Sequence, residues 1–111
     1  MNTESTTNDK SAKLAELNDA ARSNAFNYVA TRGVMSLEPE VISDIFAGVQ
    51  QFDDFNEDND PYKEHDFGSF TIAGNKIFWK IDCYRKDLRD SIDPLDPECC
   101  RVLTIMLAEE Y

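Results

Sequence analysis

Apolar residues recur in different rhythms along this chain, and the changes of rhythm mark its elements. Between residues 11 and 31, Leu14, Leu17, Ala21, Ala25 and Tyr28 fall at steps of three and four, with Phe26 and Val29 widening the stripe. That spacing predicts an amphipathic helix. Gly33 is the expected C-terminal cap, since glycine takes the left-handed conformation freely, and Val34-Met35 reads as a short extended link. A second helix is expected from Ser36, whose hydroxyl can cap free N–H groups. Glu38 and Glu40 suit its positive end, and Pro39 is tolerated in its first turn. Val41, Ile42, Ile45, Phe46, Val49 and Phe52 form its core face.

From residue 67 the period becomes two. Residues 67–72 and 76–84 read as a β-hairpin turning at Gly74-Asn75. Ile77, Trp79, Ile81 and Cys83 share the core face. Phe78, Lys80, Asp82 and Tyr84 share the other, which calls for cover by a further strand or a partner. A charged connector follows, with Asp93-Pro94 and Asp96-Pro97. Asp96 then reads as the N-cap of a last helix carrying Cys99, Val102, Leu103, Met106 and Leu107 on one stripe, broadened by Ile105. Residues 1–10 are polar and expected to be a disordered lead-in. Residues 11–111 form a single domain. The expected fold class is α+β, in the order helix, helix, hairpin, helix, with the helices on one face of a small antiparallel sheet.

Charge changes this picture most. Twenty-two acidic residues face eleven basic ones, a formal net charge of -11 over 111 residues. Such a field repels nucleic acid and anionic membranes and favours a basic partner. It also serves plain solubility. Residues 53–66 hold Asp53, Asp54, Glu57, Asp58, Asp60, Glu64 and Asp66 against Lys63 alone, so seven charges less one concentrate there. Phe55 and Tyr62 interrupt the run and are expected to tack it to the body. Three cysteines include the adjacent Cys99-Cys100, whose geometry disfavours a mutual bridge. Reduced thiols and a cytoplasmic location are expected. The first residues lack the apolar run of a secretory signal, and no apolar run nears the ~18 residues that span a bilayer.

Glu64-His65-Asp66 is the most enzyme-like group. A histidine between carboxylates can serve as a general base, or join Asp58 or Asp60 around Mg²⁺ or Mn²⁺. That would make a small metal-dependent hydrolase or nuclease. Against it, neighbouring residues entering a strand point to opposite sides, so the three converge only if the backbone bends. His65 bonded to Asp60 or to the hairpin backbone is the structural alternative. No frame of the loop fits an EF-hand: from Asp54, position six is Asn59 and position twelve is His65. The cysteines lack zinc-site spacing. No cofactor is implied. The carboxylates can instead imitate the phosphate row of DNA, which carries a charge every ~1.7 Å of axis. Glu38, Glu40, Asp44, Asp87, Asp90, Asp93 and Asp96 can extend that row.

Asn59-Asp60-Pro61-Tyr62, Glu64-His65-Asp66-Phe67-Gly68, Trp79-Lys80-Ile81-Asp82 and Arg101-Val102-Leu103-Thr104 together resemble a bacterial family of unknown function, family 3768. The resemblance runs from about Leu17 to Tyr111. It departs at Cys83-Tyr84-Arg85 and Cys99-Cys100. It implies no established activity. It implies a small protein of plasmids and integrative elements, a setting of DNA transfer or of countermeasures to host defence. The leading expectation is a non-enzymatic acidic module that binds a basic nucleic-acid-binding protein or nuclease complex. Its most concrete form is a DNA mimic of anti-CRISPR or anti-restriction type, using Asp53, Asp54, Glu57, Asp58, Asp60, Glu64 and Asp66. The alternative is the hydrolase centred on Glu64, His65 and Asp66. A homodimer through the Phe78/Tyr84 face is a third reading. Direct binding of nucleic acid or membrane is not expected.

Overall fold

The segment expected as a last helix is a strand, and it stands inside the sheet. The computed structural model describes residues 3–24, 28–87 and 89–111, with side chains from Lys10 onward. In chain order these form α1 (Thr3–Asn24), β1 (Tyr28–Ala30), α2 (Arg32–Met35), α3 (Pro39–Gln50), β2 (Phe67–Ile72), β3 (Asn75–Tyr84), β4 (Cys100–Leu107) and a 3-10 turn at Ala108–Glu110. The fold is α+β. The sheet is mixed, with order β1-β4-β3-β2. β3 pairs antiparallel with both β2 and β4, while β1 runs parallel to β4.

Several expectations are corrected. β4 reads as a helix because it is apolar on both sides, which blurs period two into period 3.6. Its alternation is nevertheless clear once the strand is placed. Leu103, Ile105 and Leu107 lie opposite Ile81, Trp79 and Ile77, and Val102, Thr104 and Met106 point the other way. β-branched Val102, Thr104 and Ile105 suit that conformation. Asp96 does not start a helix. Its Oδ1 accepts from the Glu98 N–H at 2.8 Å, as Asp93 Oδ1 does from Leu95, so both Asp-Pro sites are side-chain-closed turns.

The first helix ends at Asn24, and Tyr28 and Ala30 are strand residues facing the core. The expected positions Ala25 and Phe26 lie outside the described residues. Residues 3–10 of the expected lead-in are helical. Ser36 closes α2, its hydroxyl donating to Arg32 O at 2.8 Å. α3 begins at Pro39 with Glu38 as its N-cap. Gly33 is no C-cap. It lies within α2 and leaves room for the Glu110 carboxylate, whose oxygen a Cβ would meet at 2.7 Å. Glu110 accepts from Thr31 Oγ1 at 2.6 Å, Leu107 N at 2.8 Å and Gly33 N at 3.2 Å. The Thr31 hydroxyl, chiefly, holds its carboxyl below the usual range. The hairpin turn is Ala73-Gly74, one residue earlier than expected. Both have positive φ, as a two-residue turn between twisted strands requires.

One face of the sheet makes the core. Tyr28, Ala30, Phe70, Ile72, Ile77, Trp79, Ile81, Leu103, Ile105 and Leu107 meet Val34, Val41, Ile45, Phe46, Val49 and Phe52 from the helical side. Trp79 is fully buried. It lies directly over Gly68, where a Cβ would come within 2.5 Å of its indole nitrogen, so no other residue fits there.

Cys83 and Cys99 are joined as a disulfide, with Cα atoms 5.5 Å apart, and Cys100 is free. The expectation of three reduced thiols is therefore corrected: register sets Cys83 of β3 opposite Arg101, and Cys99, just before β4, lies diagonally within bridging reach. The thiol argument for a reducing compartment falls with it. Among the described residues no helix is long and apolar enough to cross a membrane. Denatured without reductant, the protein should titrate with one thiol equivalent per chain; three equivalents would show that the bridge does not form.

Candidate functional site

The acidic loop between α3 and β2 is held by its own side chains. Asn56 Oδ1 accepts from Asp58 N at 2.9 Å and Asn59 N at 3.1 Å. Asn59 Oδ1 accepts from Asn56 N, and its amide donates to Asp54 O, both at 2.9 Å. Such Asx contacts replace a backbone ladder in a turn. Asp60 is the pivot of the second half. It is 6 % exposed. Its Oδ1 accepts from Glu64 N at 2.9 Å and His65 N at 3.1 Å. Lys63 and His65 both have positive φ, at 59° and 57°. These conformations cost energy for residues with a Cβ; the buried Asp60 carboxylate offsets that cost through its two charge-assisted bonds.

The resulting bend separates the three residues of the enzyme-like group. Glu64 and Asp66 line a cavity of about 320 Å³ with Leu14, Asn18, Ile81, Asp82, Tyr84 and Arg101. His65 lines a different one, of about 550 Å³, with Phe55, Asn56, Glu57, Asp60, Pro61 and Lys63. The His65 ring is stacked on Phe55, centroids 3.9 Å apart and planes 2° from parallel. Its Nδ1 lies 2.9 Å from Asp19 Oδ1, and its Nε2 lies 3.6 Å from Asp60 Oδ2. Both ring nitrogens thus face carboxylates of the scaffold. Among the described residues no three His, Cys, Asp or Glu side chains are arranged to hold a metal ion.

The seven acidic residues divide likewise. Asp53, Asp54, Glu57 and Asp58 are exposed, and none has a cation within 4 Å among the described residues. Asp60 is buried in the turn. Glu64 and Asp66 are half-buried in the smaller cavity. Burial pushes Glu64 above the ordinary carboxylate range, helped by the charges of Asp66 and Asp60. Burial also raises Asp66; a backbone hydrogen bond opposes the shift, and Asp60 and Asp82 add to it.

Several partners of the loop were not legible beforehand. Asn18 and Arg22, both buried, and Asp19 project from α1. Asn18 Nδ2 donates to Glu64 O at 2.9 Å, and its Oδ1 accepts from Arg101 Nε at 2.8 Å. Arg101 Nη2 donates to Pro94 O at 2.6 Å, and its Nη1 lies 3.3 Å from Cys99 Sγ. Burial lowers the Arg101 pKa. The Arg22 guanidinium bonds Asp19 at 2.9 Å and lies over Phe55 and Trp79, 5.2 and 5.5 Å from the ring centroids. The available signal was Asn18 and Arg22, one helical turn apart and in line with Leu14, a polar pair beside the apolar stripe. Phe55 does tack the loop down, edge-on to Phe52 and Trp79. Tyr62, expected to do the same, is 75 % exposed.

A model of a family described as a protein of unknown function, DUF3768, matches residues 30–110. The chain belongs to this family. No curated protein and no solved structure matches it. The DUF3768 segment holds the acidic loop, the hairpin and β4. Asn18, Asp19 and Arg22, which grip the loop from α1, lie outside that segment.

Two outcomes are expected. Asp60→Ala strips two backbone N–H groups of a charged acceptor and should lower stability by about 2 kcal/mol in urea unfolding. An unchanged midpoint would remove Asp60 as the pivot. A carboxyl raised on folding adds stability below its unfolded value and loses it as pH rises through the folded value. Asp66→Asn should therefore raise the melting temperature at neutral pH but not near pH ~3, where both forms are neutral.

Proposed function

We propose that this protein is a non-enzymatic interaction module whose acidic loop binds a basic partner. One observation carries the reading. Asp53, Asp54, Glu57 and Asp58 stand exposed, with no cation within 4 Å among the described residues, on a loop closed by the hydrogen bonds of Asn56 and Asn59. A loop held in this way loses little conformational freedom on binding, so its charge goes into attraction. Its most concrete form is a mimic of the DNA phosphate row that occupies the basic groove of a bacterial defence or DNA-processing complex. The row rests on the four exposed carboxylates. Long-range attraction would speed the encounter, and salt would weaken it.

The engagement of His65 by Asp19 and Asp60, in a different cavity from Glu64 and Asp66, favours this reading over a hydrolase. The test is capture from bacterial lysate on immobilised protein, eluted by a salt gradient or by short duplex DNA. Basic nucleic-acid-binding proteins should be released by both. Their capture should be lost in the triple variant Asp54→Lys, Glu57→Lys, Asp58→Lys, whose side chains hold no part of the loop. Equal capture by the triple variant would defeat the proposal.

A further inference from the structure

The core uses one face of the sheet, and among the described residues no α-helix packs on the other. Strand register gives the composition of that outer face: Val29 on β1; Phe67, Ser69 and Thr71 on β2; Lys76, Phe78, Lys80, Asp82 and Tyr84 on β3; Cys100, Val102, Thr104 and Met106 on β4. None of these residues belongs to the core cluster, and of them only Met106 is buried, at 5 % exposed. Phe67 and Phe78 pack on each other, centroids 5.4 Å apart, and Tyr111 stands edge-on to both while remaining 74 % exposed.

We propose that a second copy of this chain covers this face, in a two-fold dimer packed sheet on sheet. Charge is the first argument. The chain carries a net charge of -11, yet this face has two lysines against one aspartate. The exposed carboxylates of the acidic loop lie on the opposite side, next to Phe52 and Phe55, which meet the inner-face Trp79. Here two such acidic molecules can approach without bringing their strongest fields together.

The second argument is self-complementarity, which a two-fold interface demands. Lys80 and Asp82 are neighbours on β3, 3.3 Å apart and each about two-fifths exposed. A two-fold axis crossing β3 at Ile81 sets Lys80 against Asp82 of the partner subunit, twice. The same operation sets the Phe78 ring against Tyr84 of the partner subunit. A basic or an acidic partner of another kind would match only one of the two charges. Area is the third argument. At ~4.8 Å between strands and ~3.3 Å per residue, the strands present roughly 430 Å² of projected face. Side-chain relief brings its accessible area towards the ~800 Å² that each partner of a stable complex contributes.

This dimer is independent of the acidic-loop reading and responds oppositely to salt: screening relieves the repulsion of two acidic chains, so added salt should strengthen it. The experiment is sedimentation equilibrium of the full chain at micromolar concentration, across a salt series. The expected mass is twice the 12.7 kDa of one chain. Lys80→Asp faces Asp82 of the partner subunit with a like charge and should weaken association by about tenfold or more. The double exchange Lys80→Asp with Asp82→Lys should restore it. Thr104→Arg, beside Lys80 on β4, should also give monomers, and circular dichroism checks that each variant folds. A monomeric wild type, an unaffected Lys80→Asp protein or a double exchange that stays monomeric would each overturn the proposal.

Discussion

The contact between Trp79 and Gly68 is the point from which the rest of the structure hangs. The indole occupies the space that a side chain at Gly68 would take, so the ring lies flat on the neighbouring strand. Phe52 from the end of α3 meets it edge-on at 5.4 Å, and Phe55 of the acidic loop does so at 6.2 Å. Arg22 of α1 covers it from above. Sheet, two helices and loop therefore share one buried ring. An aromatic of this size contributes through the area it removes from water and through its edge-to-face contacts. The loop inherits its position from that ring: Phe55 leans on Trp79, His65 stacks on Phe55, and Asp19 and Asp60 hold His65.

This arrangement explains how so many carboxylates are tolerated in one short segment. They are sorted by depth. Asp60 is buried and spent on two backbone N–H groups. Glu64 and Asp66 are half-buried in a cavity that Arg101 also lines, and burial raises both above their ordinary range. Only Asp53, Asp54, Glu57 and Asp58 keep their charge fully in solvent. The acidic stretch is thus three environments rather than one surface, and only its four outermost groups stand fully open to solvent.

Much of this was legible from residue spacing, and the failures have identifiable causes. The hairpin was clear because β3 alternates strictly between Ile77, Trp79, Ile81 and their polar or aromatic neighbours. α3 was clear because its apolar stripe faces a core on one side only. The segment 100–107 was misread because a strand flanked on both edges, with apolar groups on both faces, loses the alternation that identifies strands. The role of α1 was hidden for the opposite reason. Its inward contacts include Asn18 and Arg22, and a buried polar row is invisible to a hydrophobic pattern. The separation of His65 from Glu64 and Asp66, expected from strand-like alternation, comes instead from a bend at positive φ ahead of β2. The positive φ angles that fix the bend come from Asp60, whose burial no local pattern announces. The Cys83–Cys99 bridge depends on the register of β4 and vanished with the helix reading.

The place of β4 has a consequence for how the molecule comes into being. It is the strand that joins β1 to β3, yet it follows both in the chain. Until residues 100–107 have been made, β1 has no neighbour to pair with and the β2–β3 hairpin is a two-stranded ribbon, marginal by itself in water. The sheet is closed by contacts between residues more than seventy positions apart, such as Tyr28 with Leu103. Such distant pairing is slow to form. During synthesis the inner edge of β3 must therefore wait, unpaired, for the last strand to arrive. A chain with many negative charges repels its own copies through that interval, so the acidity that shapes the finished surface also guards the unfinished one.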